Sequence, residues 1–350
     1  MTPAKKLAAA LDRMPRFRCA HLPTPLEPMH RLAAHLNEGG NCPKLWIKRD
    51  DCTGLATGGN KARKLEYLVG EAQKNNADTL LTHGALQSNH VRQTAAAAAL
   101  AGMQCKALYE HRVEDADADY QNSGNALLTQ LLGATRDDFA KGEDMDAALE
   151  TAAEELRAAG RRPYVIPGGG SNPVGASGYV HCALELSQQA EQAGIRVSHV
   201  VHATGSAGTQ AGLVAGCRAL GSPFAVLGIG VNAPQNEQEE KVFKLACTTL
   251  AHLGMENNLP RDAVRANCEY IGAGYGLPTD GMLEAVSLLA RTEGILLDPV
   301  YAGKGMAGLI GLIRAGEFSA DDNVVFVHTG GAAALFGYRA ALAGIDKNAD

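Results

Sequence analysis

Short runs of apolar residues recur along the chain at intervals that suit buried strands. In these runs aliphatic residues often occupy consecutive positions, as in HVVHA at 199–203. Continuous rather than alternating apolar residues are typical of strands buried on both faces, as in parallel sheets. The predicted strands are Lys44–Lys48, Asp78–Thr82, Gln104–Tyr109, Pro163–Ile166, His199–Ala203, Phe224–Gly230 and Asn323–Val327.

Helical patterns lie between these runs. After Lys61, the apolar residues Leu65, Leu68, Val69 and Ala72 are spaced i, i+3, i+4 and i+7, which places them on one face of a helix. Because strands and helices alternate, the sequence predicts an α/β protein with open, mostly parallel sheets. Further predicted helices are Val91–Ala101, Met145–Ala159 and Glu239–Leu253.

The length of 350 residues suits two such sheets, each in its own domain. Two glycine-rich segments, Gly54–Asn60 and Pro167–Ser171, mark the predicted crossovers between domains that are built from discontinuous chain. We therefore expect a large domain of residues 1–60 plus 172–350 and a small domain of residues 61–171. The active site is expected in the cleft between them.

Composition narrows the functional classes. The net charge is −6 without any basic run, which argues against a nucleic-acid partner. No apolar segment reaches about 18 residues and the N-terminus lacks the apolar stretch of a signal peptide, so no membrane association is expected. Eight scattered cysteines without a C-x-x-C pair are typical of a cytoplasmic protein with reduced thiols and no metal site. The polar stretch Val113–Lys141 is expected to be a surface excursion.

Glycine accounts for 40 residues, and one cluster has the chemistry of a phosphate site. The sequence GSAGTQAG at 205–212 follows a predicted strand and opens a helical run. A helix N-terminus presents free backbone N–H groups and a positive dipole, and glycines let an anion come close. Ser206 and Thr209 add hydroxyl donors. The segment predicts a phosphate cradle, with a tight turn that binds nothing as the alternative.

Two polar segments beside predicted helix starts could carry catalysis. Lys61 follows a glycine pair at the start of a helix, where a lowered amine pKa suits a lysine that forms a Schiff base. A solvated basic cluster is the alternative, and Arg63 and Lys64 are expected to be surface charges. Gln87–His90 lie between a strand and a helix, where they could bind a carboxylate and serve proton transfer; for Ser88 the simpler role is to cap the helix.

Three further candidates lie on predicted loops. Tyr275 and Tyr301 are in the glycine-rich contexts GAGYG and DPVYAGK, and Thr329 follows the last predicted strand, where a parallel sheet presents ligand contacts. GIGVNA at 228–233 has the spacing of a dinucleotide-binding turn, but Pro234 follows it at once. A nicotinamide-dependent dehydrogenase is therefore an alternative that this proline disfavours.

In their order along the chain, these segments resemble the pyridoxal-phosphate enzymes of fold type II, the group of the tryptophan synthase β subunit. Within that group they are similar to the branch that holds D-cysteine desulfhydrase, 1-aminocyclopropane-1-carboxylate (ACC) deaminase and L-cysteate sulfo-lyase. The resemblance covers nearly the whole chain. It is carried by residues 23–28, Arg49–Asp51, Gly58–Leu65, Gln87–His90, 168–173, Gly205–Gly212, Asp298–Lys304 and His328–Gly331.

The resemblance implies pyridoxal 5′-phosphate as cofactor, a small amino acid as substrate, and a homodimer. Lys61 matches the lysine that binds the cofactor covalently, and Lys61 or Ser88 would take the α-proton. Asn89 matches the residue that bonds the cofactor's 3′-oxygen, and Thr329 is the candidate beside the pyridine nitrogen. The phosphate loop matches Thr204, Gly205, Ser206, Ala207, Gly208 and Thr209. The residues expected around the substrate are Gln87, Ser88, Asn89, His90 and the active-site tyrosines Tyr275 and Tyr301.

One departure from the family pattern bears on the reaction. In the deaminase, a glutamate that pairs with the pyridine nitrogen follows the second tyrosine, whereas this chain has Ala302. That difference favours β-elimination over cyclopropane ring opening. The segments Arg49–Thr57, Gly228–Val231 and Ala266–Tyr270 look more like the sulfo-lyases, so we expect a carbon–sulfur lyase that converts L-cysteate to pyruvate, sulfite and ammonium. D-cysteine desulfhydrase, ACC deaminase and a non-catalytic protein that binds the cofactor or an amino acid are the alternatives.

Overall fold

The computed structural model describes residues 1–37, 40–222 and 224–343. Its strands are β1 (Leu26–Pro28), β2 (Lys44–Arg49), β3 (Thr79–Ala85), β4 (Gln104–Glu110), β5 (Thr135–Phe139), β6 (Pro163–Ile166), β7 (His199–Thr204), β8 (Ala225–Gly230), β9 (Arg265–Asn267) and β10 (Asn323–His328). Its helices are α1 (Pro3–Asp12), α2 (His30–Leu36), α3 (Lys61–Lys74), α4 (Asn89–Leu100), α5 (Ala118–Asn122), α6 (Gly124–Leu131), α7 (Met145–Ala158), α8 (Pro173–Ala193), α9 (Gly208–Leu220), α10 (Gln235–His252), α11 (Asp280–Glu293), α12 (Ala302–Arg314) and α13 (Arg339–Leu342).

The strands form two separate sheets. The larger has the order β1-β2-β10-β7-β8-β9 and is parallel except for β1, which pairs antiparallel with β2. The smaller has the order β5-β4-β3-β6 and is entirely parallel. The predicted fold class, two open and mostly parallel sheets flanked by helices, is confirmed.

The strands of the smaller sheet all lie within residues 61–171, and those of the larger sheet lie outside that range. The division of the chain into domains at residues 60 and 171 stays a prediction. None of the helices in the described ranges combines the length and the apolarity that crossing a membrane requires.

All seven predicted strands are present, because each carries enough apolar residues to be buried between layers of helices. The three strands that were not predicted, β1, β5 and β9, are short or polar and lie at the edges of the sheets. In β5 (TRDDF) four of the five residues are exposed, so the strand shows no apolar periodicity. The predicted helix Glu239–Leu253 begins earlier, at Gln235, directly after Pro234. Proline is favoured at a helix start because its missing N–H is not needed there.

The expectation that Val113–Lys141 is only a surface excursion was wrong. This stretch contains α5, α6 and β5, and three of its side chains, Tyr120, Asn125 and Thr129, are buried. Among them, Asn125 donates to Asn89 Oδ1 and so contacts one of the predicted site residues.

Behind the start of α3 lies a buried network of two cations and two carboxylates. Arg63 donates to Asp50 Oδ1 at 2.8 Å and to Glu185 Oε1 at 2.8 Å, and Lys48 Nζ lies 2.5 Å from the same Glu185 oxygen. The Tyr179 hydroxyl donates to Asp50 Oδ2 at 2.5 Å. Buried charges are tolerated only when they are paired and hydrogen-bonded, and here the formal charges cancel.

The expectation that Arg63 and Lys64 are surface charges was also wrong, since both are only 1% exposed. Arg63 belongs to the ion network, and the Lys64 side chain extends toward the cleft. A run of charged residues at a helix start looks solvated in a sequence, because the carboxylates that neutralise it come from distant segments. Here Asp50 directly follows β2, and Glu185 lies in α8.

Removing one carboxylate from this network is expected to destabilise the fold strongly. Burial raises the pKa of Glu185, but Arg63 and Lys48 outweigh burial and hold that pKa at about 2. Glu185→Gln leaves two buried cations facing one carboxylate, so the free energy of unfolding should fall by about 3 kcal/mol in urea denaturation near pH 7.

The stabilisation by Glu185 is present above the ordinary glutamate pKa of 4.5 and is lost as the pH falls through about 2. The difference in unfolding free energy between the wild type and Glu185→Gln should therefore shrink as the pH falls from 4.5 to about 2. Glu114→Ala is the matched control, because Glu114 pairs with Lys141 on the surface, and it should cost less than about 1 kcal/mol. Equal losses in the two variants would contradict the assignment.

Candidate active site

A cleft opens where the carboxyl ends of strands from both sheets face each other, the usual place for ligands in parallel α/β structures. Residues after β3 and at the start of α3 line one side, and residues after β7 and β10 line the other. The lining residues are Asn60, Lys61, Asn89, His90, Ala203, Thr204, Gly205, Ser206, Ala207, Thr209, Tyr301 and Thr329. Most of the residues predicted for the cofactor are thus brought together.

Lys61 is the first residue of α3 and lies in this cleft. Burial lowers the pKa of its amine to about 8, while hydrogen bonding to Lys64 and the charge of Asp298 act in the opposite direction. An amine with a pKa near 8 is neutral in a substantial fraction at physiological pH, which an attack on a carbonyl carbon requires.

The loop between β7 and α9 has the form of a cradle. Ala207 has a φ of 72°, a conformation that is costly for a residue other than glycine and is typical of functional loops. The first turn of α9 leaves backbone N–H groups without helical partners, and they point out of the helix end. The Ser171 hydroxyl donates to Ser206 Oγ at 2.8 Å, which ties this loop to the turn after β6.

Lys64 reaches the same loop from α3. Its Nζ donates to the carbonyl of Gly169 at 3.0 Å, and a Cβ placed on Gly208 would lie 2.7 Å from this nitrogen. Burial, with the neighbouring Lys61, holds the pKa of Lys64 well below the usual lysine value. A buried amine among N–H and hydroxyl donors fits a phosphate, whose negative charge would restore the charge of the amine.

Asn89 is held in one orientation by two buried side chains. Its Oδ1 accepts from Asn125 Nδ2 at 2.8 Å and from Arg92 Nη1 at 3.1 Å, so its Nδ2 group points the other way, where it makes one long bond of 3.5 Å to Asp298 Oδ2. Arg92 also donates to the carbonyl of Gly58 at 2.7 Å, which links this residue to the loop before Lys61. Sequence reasoning missed Arg92 and Asn125, because neither belongs to a recognisable catalytic pattern.

Ser88 and Gln87, which were also predicted to contact the substrate, make hydrogen bonds within the protein. Ser88 caps α4, where its Oγ accepts from the Val91 N–H at 3.2 Å. Gln87 Nε2 donates to the carbonyls of Tyr120 and Ser123, and its Oε1 accepts from the Asn125 N–H. Gln87 therefore holds the α5–α6 segment in place through these hydrogen bonds. It would have to break one of them to contact a substrate.

His90 lines the cleft as a neutral ring. Its Nε2 lies 2.8 Å from the Thr82 hydroxyl, and among the described residues its buried Nδ1 has no hydrogen-bond partner. Burial and the charges of Lys61 and Lys64 hold its pKa well below the usual histidine value. A ligand in the cleft with a polar group beside this unpartnered nitrogen would satisfy it.

The two tyrosines contact each other, and Tyr301 lines the cleft. Their hydroxyl oxygens are 2.5 Å apart, and the rings pack edge to face with centroids 5.9 Å apart. Burial raises the pKa of Tyr301 to about 12 and that of Tyr275 well above its usual value. Both phenols are therefore protonated at neutral pH and can donate hydrogen bonds.

Thr329 lies at the cleft directly after β10 and offers a neutral hydroxyl. Its carbonyl accepts from the Asn60 N–H at 2.9 Å, so it also fixes the loop before Lys61. Ala302 is fully buried and its N–H donates to Asp298 Oδ1 at 2.6 Å. Burial raises the pKa of Asp298 to about 6, although its bonds with three backbone N–H groups at the start of α12 act to lower it.

The glycines of the possible dinucleotide turn have a packing role instead. A Cβ on Gly228 would lie 2.4 Å from Gln210 Oε1, and one on Gly230 would lie 2.3 Å from Cys268 Sγ. These glycines let β8 pack closely against its neighbours, and α10 begins only at Gln235.

The Lys61 amine, the Gly205–Thr209 loop and the Asn89 amide lie together in the cleft instead. A reactive amine, a phosphate cradle and a fixed amide in one cleft fit pyridoxal phosphate.

A family model described as "Pyridoxal-phosphate dependent enzyme" matches residues 19–330. The chain belongs to this family, and its use of pyridoxal phosphate is confirmed. The match includes every predicted cofactor residue.

Similar proteins define the branch. D-cysteine desulfhydrases of Salmonella newport and Salmonella typhimurium are each 46% identical over 328 residues, which is 94% of this chain and 97% of theirs. The crystal structure of an ACC deaminase homologue is 33% identical, with a TM-score of 0.87 over 97% of this chain and 99% of that one. The chain is thus a pyridoxal-phosphate-dependent lyase of the D-cysteine desulfhydrase/ACC deaminase type, as the resemblance implied.

More distant structures share the fold alone. A threonine deaminase from Solanum lycopersicum is 18% identical, with a TM-score of 0.63 over 98% of this chain and 88% of that one. O-ureido-L-serine synthase is 16% identical, with a TM-score of 0.65 over 97% and 96%. No protein among these relatives is named as a cysteate lyase; the two Salmonella relatives are named D-cysteine desulfhydrase, which is one of the alternatives expected from the sequence.

The lowered pKa of Lys61 should be visible in cofactor uptake by the apoprotein. Only the neutral amine attacks the cofactor's aldehyde, so the uptake rate should rise about tenfold per pH unit below pH 8 and level off above it. Absorbance of the bound cofactor in the visible range measures this rate. Borohydride reduction followed by peptide mapping should place the cofactor on Lys61. A rate that still rises steeply above pH 9, or a label elsewhere, would contradict the assignment.

Lys64 should affect cofactor affinity and apoprotein stability in opposite directions. Lys64→Met removes a buried amine, so the apoprotein should become more stable to urea. The same change removes a partner of the phosphate and should raise the cofactor's dissociation constant about 100-fold. Lys74→Met, at the exposed end of α3, is the control and should change neither quantity. Unchanged cofactor affinity in Lys64→Met would exclude contact with the phosphate.

Proposed function

We propose that the protein catalyses β-elimination from a sulfur-substituted alanine, with D-cysteine as substrate. The observation that carries this proposal is the cleft itself, in which a low-pKa lysine, a phosphate cradle and a fixed amide converge. The choice of D-cysteine is supported by the 46% identity to D-cysteine desulfhydrases over nearly the whole chain. In the proposed reaction, D-cysteine and one water give pyruvate, hydrogen sulfide and ammonia.

The residues that would hold the cofactor come from both sheets. Lys61 would bind it covalently, while the Gly205–Thr209 loop and Lys64 would hold its phosphate. Asn89 would donate through Nδ2 to the ring oxygen, and Thr329 would lie near the ring nitrogen. When bound, the cofactor withdraws electrons from the substrate's α-carbon, which acidifies the α-proton.

Proton movement is assigned to the chain's own groups. The Lys61 amine, once it is free, is the base in the better position for the α-proton, because its pKa is about 8 and it lies in the cleft. The Ser88 hydroxyl already accepts the Val91 N–H, and it remains the alternative. The N-terminus of α4 provides backbone N–H groups for the substrate's α-carboxylate.

The tyrosine pair is suited to the departing sulfur. Tyr301 lines the cleft, and its hydroxyl bonds that of Tyr275. Because both phenols stay protonated at neutral pH, one of them can donate a hydrogen bond to the sulfur as the carbon–sulfur bond breaks and the electron pair moves to sulfur. We also propose, on the family resemblance, that the protein is a cytoplasmic homodimer with its large and small domains divided at residues 60 and 171.

The products identify the substrate. The protein loaded with pyridoxal phosphate should release pyruvate and sulfide in equal amounts from D-cysteine, and Lys61→Ala should abolish both. Tyr301→Phe should lower kcat about 100-fold, since one donor to a developing charge contributes roughly that much.

L-cysteine, D- and L-cysteate and the cyclopropane amino acid are run in parallel. Pyruvate and sulfite from L-cysteate, without sulfide from D-cysteine, would reverse the choice of substrate. Ketobutyrate from the cyclopropane substrate alone would make the protein a deaminase. Cofactor binding without any turnover would support the non-catalytic alternative.

A further inference from the structure

One buried lysine near the tyrosine pair has no part in the arrangement described so far. Lys304 lies in the first turn of α12, three residues after Tyr301, and its side chain is fully buried. Among the described residues, its amine is bonded to two backbone carbonyls and forms no ion pair. Burial lowers the pKa of this amine to about 8. A buried amine without a carboxylate partner costs stability, and such a cost is retained where the amine serves a function.

Both carbonyls belong to the segment that carries Tyr275. The Lys304 Nζ donates to the Ile271 carbonyl at 2.6 Å and to the Gly274 carbonyl at 3.0 Å. This segment joins β9 to α11 and contains neither a helix nor a strand that could fix its course. Lys304 therefore ties the backbone directly before Tyr275 to the first turn of α12.

The backbone around Tyr275 is not held in this shape by its own conformational preference. Gly272 and Gly276 have φ values of 71° and 73°, which glycine adopts without strain, but a free glycine also has many other conformations. On the far side of the ring, the Tyr338 hydroxyl donates to the Gly276 carbonyl at 2.8 Å. The hydrogen bonds of Lys304 and Tyr338 thus hold the backbone on both sides of Tyr275.

The place of Tyr275 decides what the Tyr301 hydroxyl can do. The two hydroxyl oxygens are 2.5 Å apart, so one of the two protons lies between them. Burial raises the pKa of both phenols, while their mutual bond acts to lower the pKa of Tyr301 and to raise that of Tyr275. These directions are expected where Tyr275 donates and Tyr301 accepts. The proton of Tyr301 is then left for a ligand in the cleft, which Tyr301 lines.

We propose that Lys304 is a positioning residue, which holds Tyr275 against Tyr301 and so keeps the Tyr301 hydroxyl free to donate to the departing sulfur. This inference rests on the β-elimination proposed above, in which a hydroxyl of this pair assists the leaving group. Lys304 is not among the residues that line the cleft. Its effect on catalysis therefore passes through Tyr275, and substitutions of the two residues should not act independently.

The test is a double-mutant cycle on the protein loaded with pyridoxal phosphate, with kcat measured for pyruvate formation from D-cysteine. Lys304→Met keeps an unbranched side chain without the hydrogen bonds. It should lower kcat about tenfold and change KM less than about threefold. Tyr275→Phe should lower kcat at least as much. The double variant should be no slower than Tyr275→Phe, because Lys304 has no hydroxyl to position once that of Tyr275 is absent.

Hydrogen exchange of backbone amides measures the positioning without turnover. In Lys304→Met the amides of residues 271–277 should exchange about fivefold faster or more, while those of α11 and α12 keep their wild-type rates. The urea midpoint should stay near that of the wild type, because the lost amine had no carboxylate partner and water can reach the freed carbonyls. Lys244→Met, which removes a surface ion pair with Glu240, is the matched control and should change none of these quantities.

The outcomes separate the two proposals. If Lys304→Met lowers kcat in the Tyr275→Phe background as much as in the wild type, Lys304 does not act through Tyr275 and the inference is wrong. Unchanged exchange at residues 271–277 would overturn it as well. If the wild-type protein binds the cofactor but gives no pyruvate from any sulfur-substituted substrate, the proposed β-elimination itself fails, whereas faster exchange in Lys304→Met would still support the anchoring of Tyr275.

Discussion

The neutral, fully paired ion network behind α3 is the constraint on which the active site depends. Arg63 is two residues from Lys61, and its guanidinium is held by Asp50, directly after β2, and by Glu185 from α8. The start of α3 is therefore fixed against the segment after β2 and against α8, both of which lie outside residues 61–171. This anchoring lets an amine be buried at the start of a helix, where the dipole opposes its charge, without the helix end moving to relieve the cost.

Charge is distributed differently in the cleft. Behind α3, each cation has a carboxylate within hydrogen-bond distance. In the cleft, Lys64 is bonded to a carbonyl and a hydroxyl, and Arg92 to two amide oxygens and a carbonyl. Buried basic groups that are hydrogen-bonded but have no carboxylate partner cost stability, and such a cost is retained where an anion is to be bound. A cofactor that carries a phosphate supplies that anion. The same buried basic groups would therefore lower the stability of the apoprotein and raise its affinity for the cofactor.

The sequence predicted most of the fold and most of the residues that line the cleft, because both leave local signals. Buried parallel strands are continuous apolar runs, and a cradle such as Gly205–Thr209 must be glycine-rich to let an anion approach. The missing parts are those whose signal is not local. Asn125 lies in a polar stretch and becomes buried only when Gln87 and Asn89 bond it. Lys64 appears solvated until the turn after β6 covers it.

This difference between local and non-local signals also explains why comparison with similar proteins changed the expected substrate but not the expected chemistry. The proposed cofactor contacts are backbone N–H groups and buried side chains whose exchange would disturb the packing around them. The leaving group is proposed to meet Tyr275 and Tyr301, and among residues 268–279 around Tyr275 only Gly276 is buried. Similarity over the whole chain therefore identifies the reaction more firmly than the leaving group, because side chains in such an exposed segment can change with little cost to the fold.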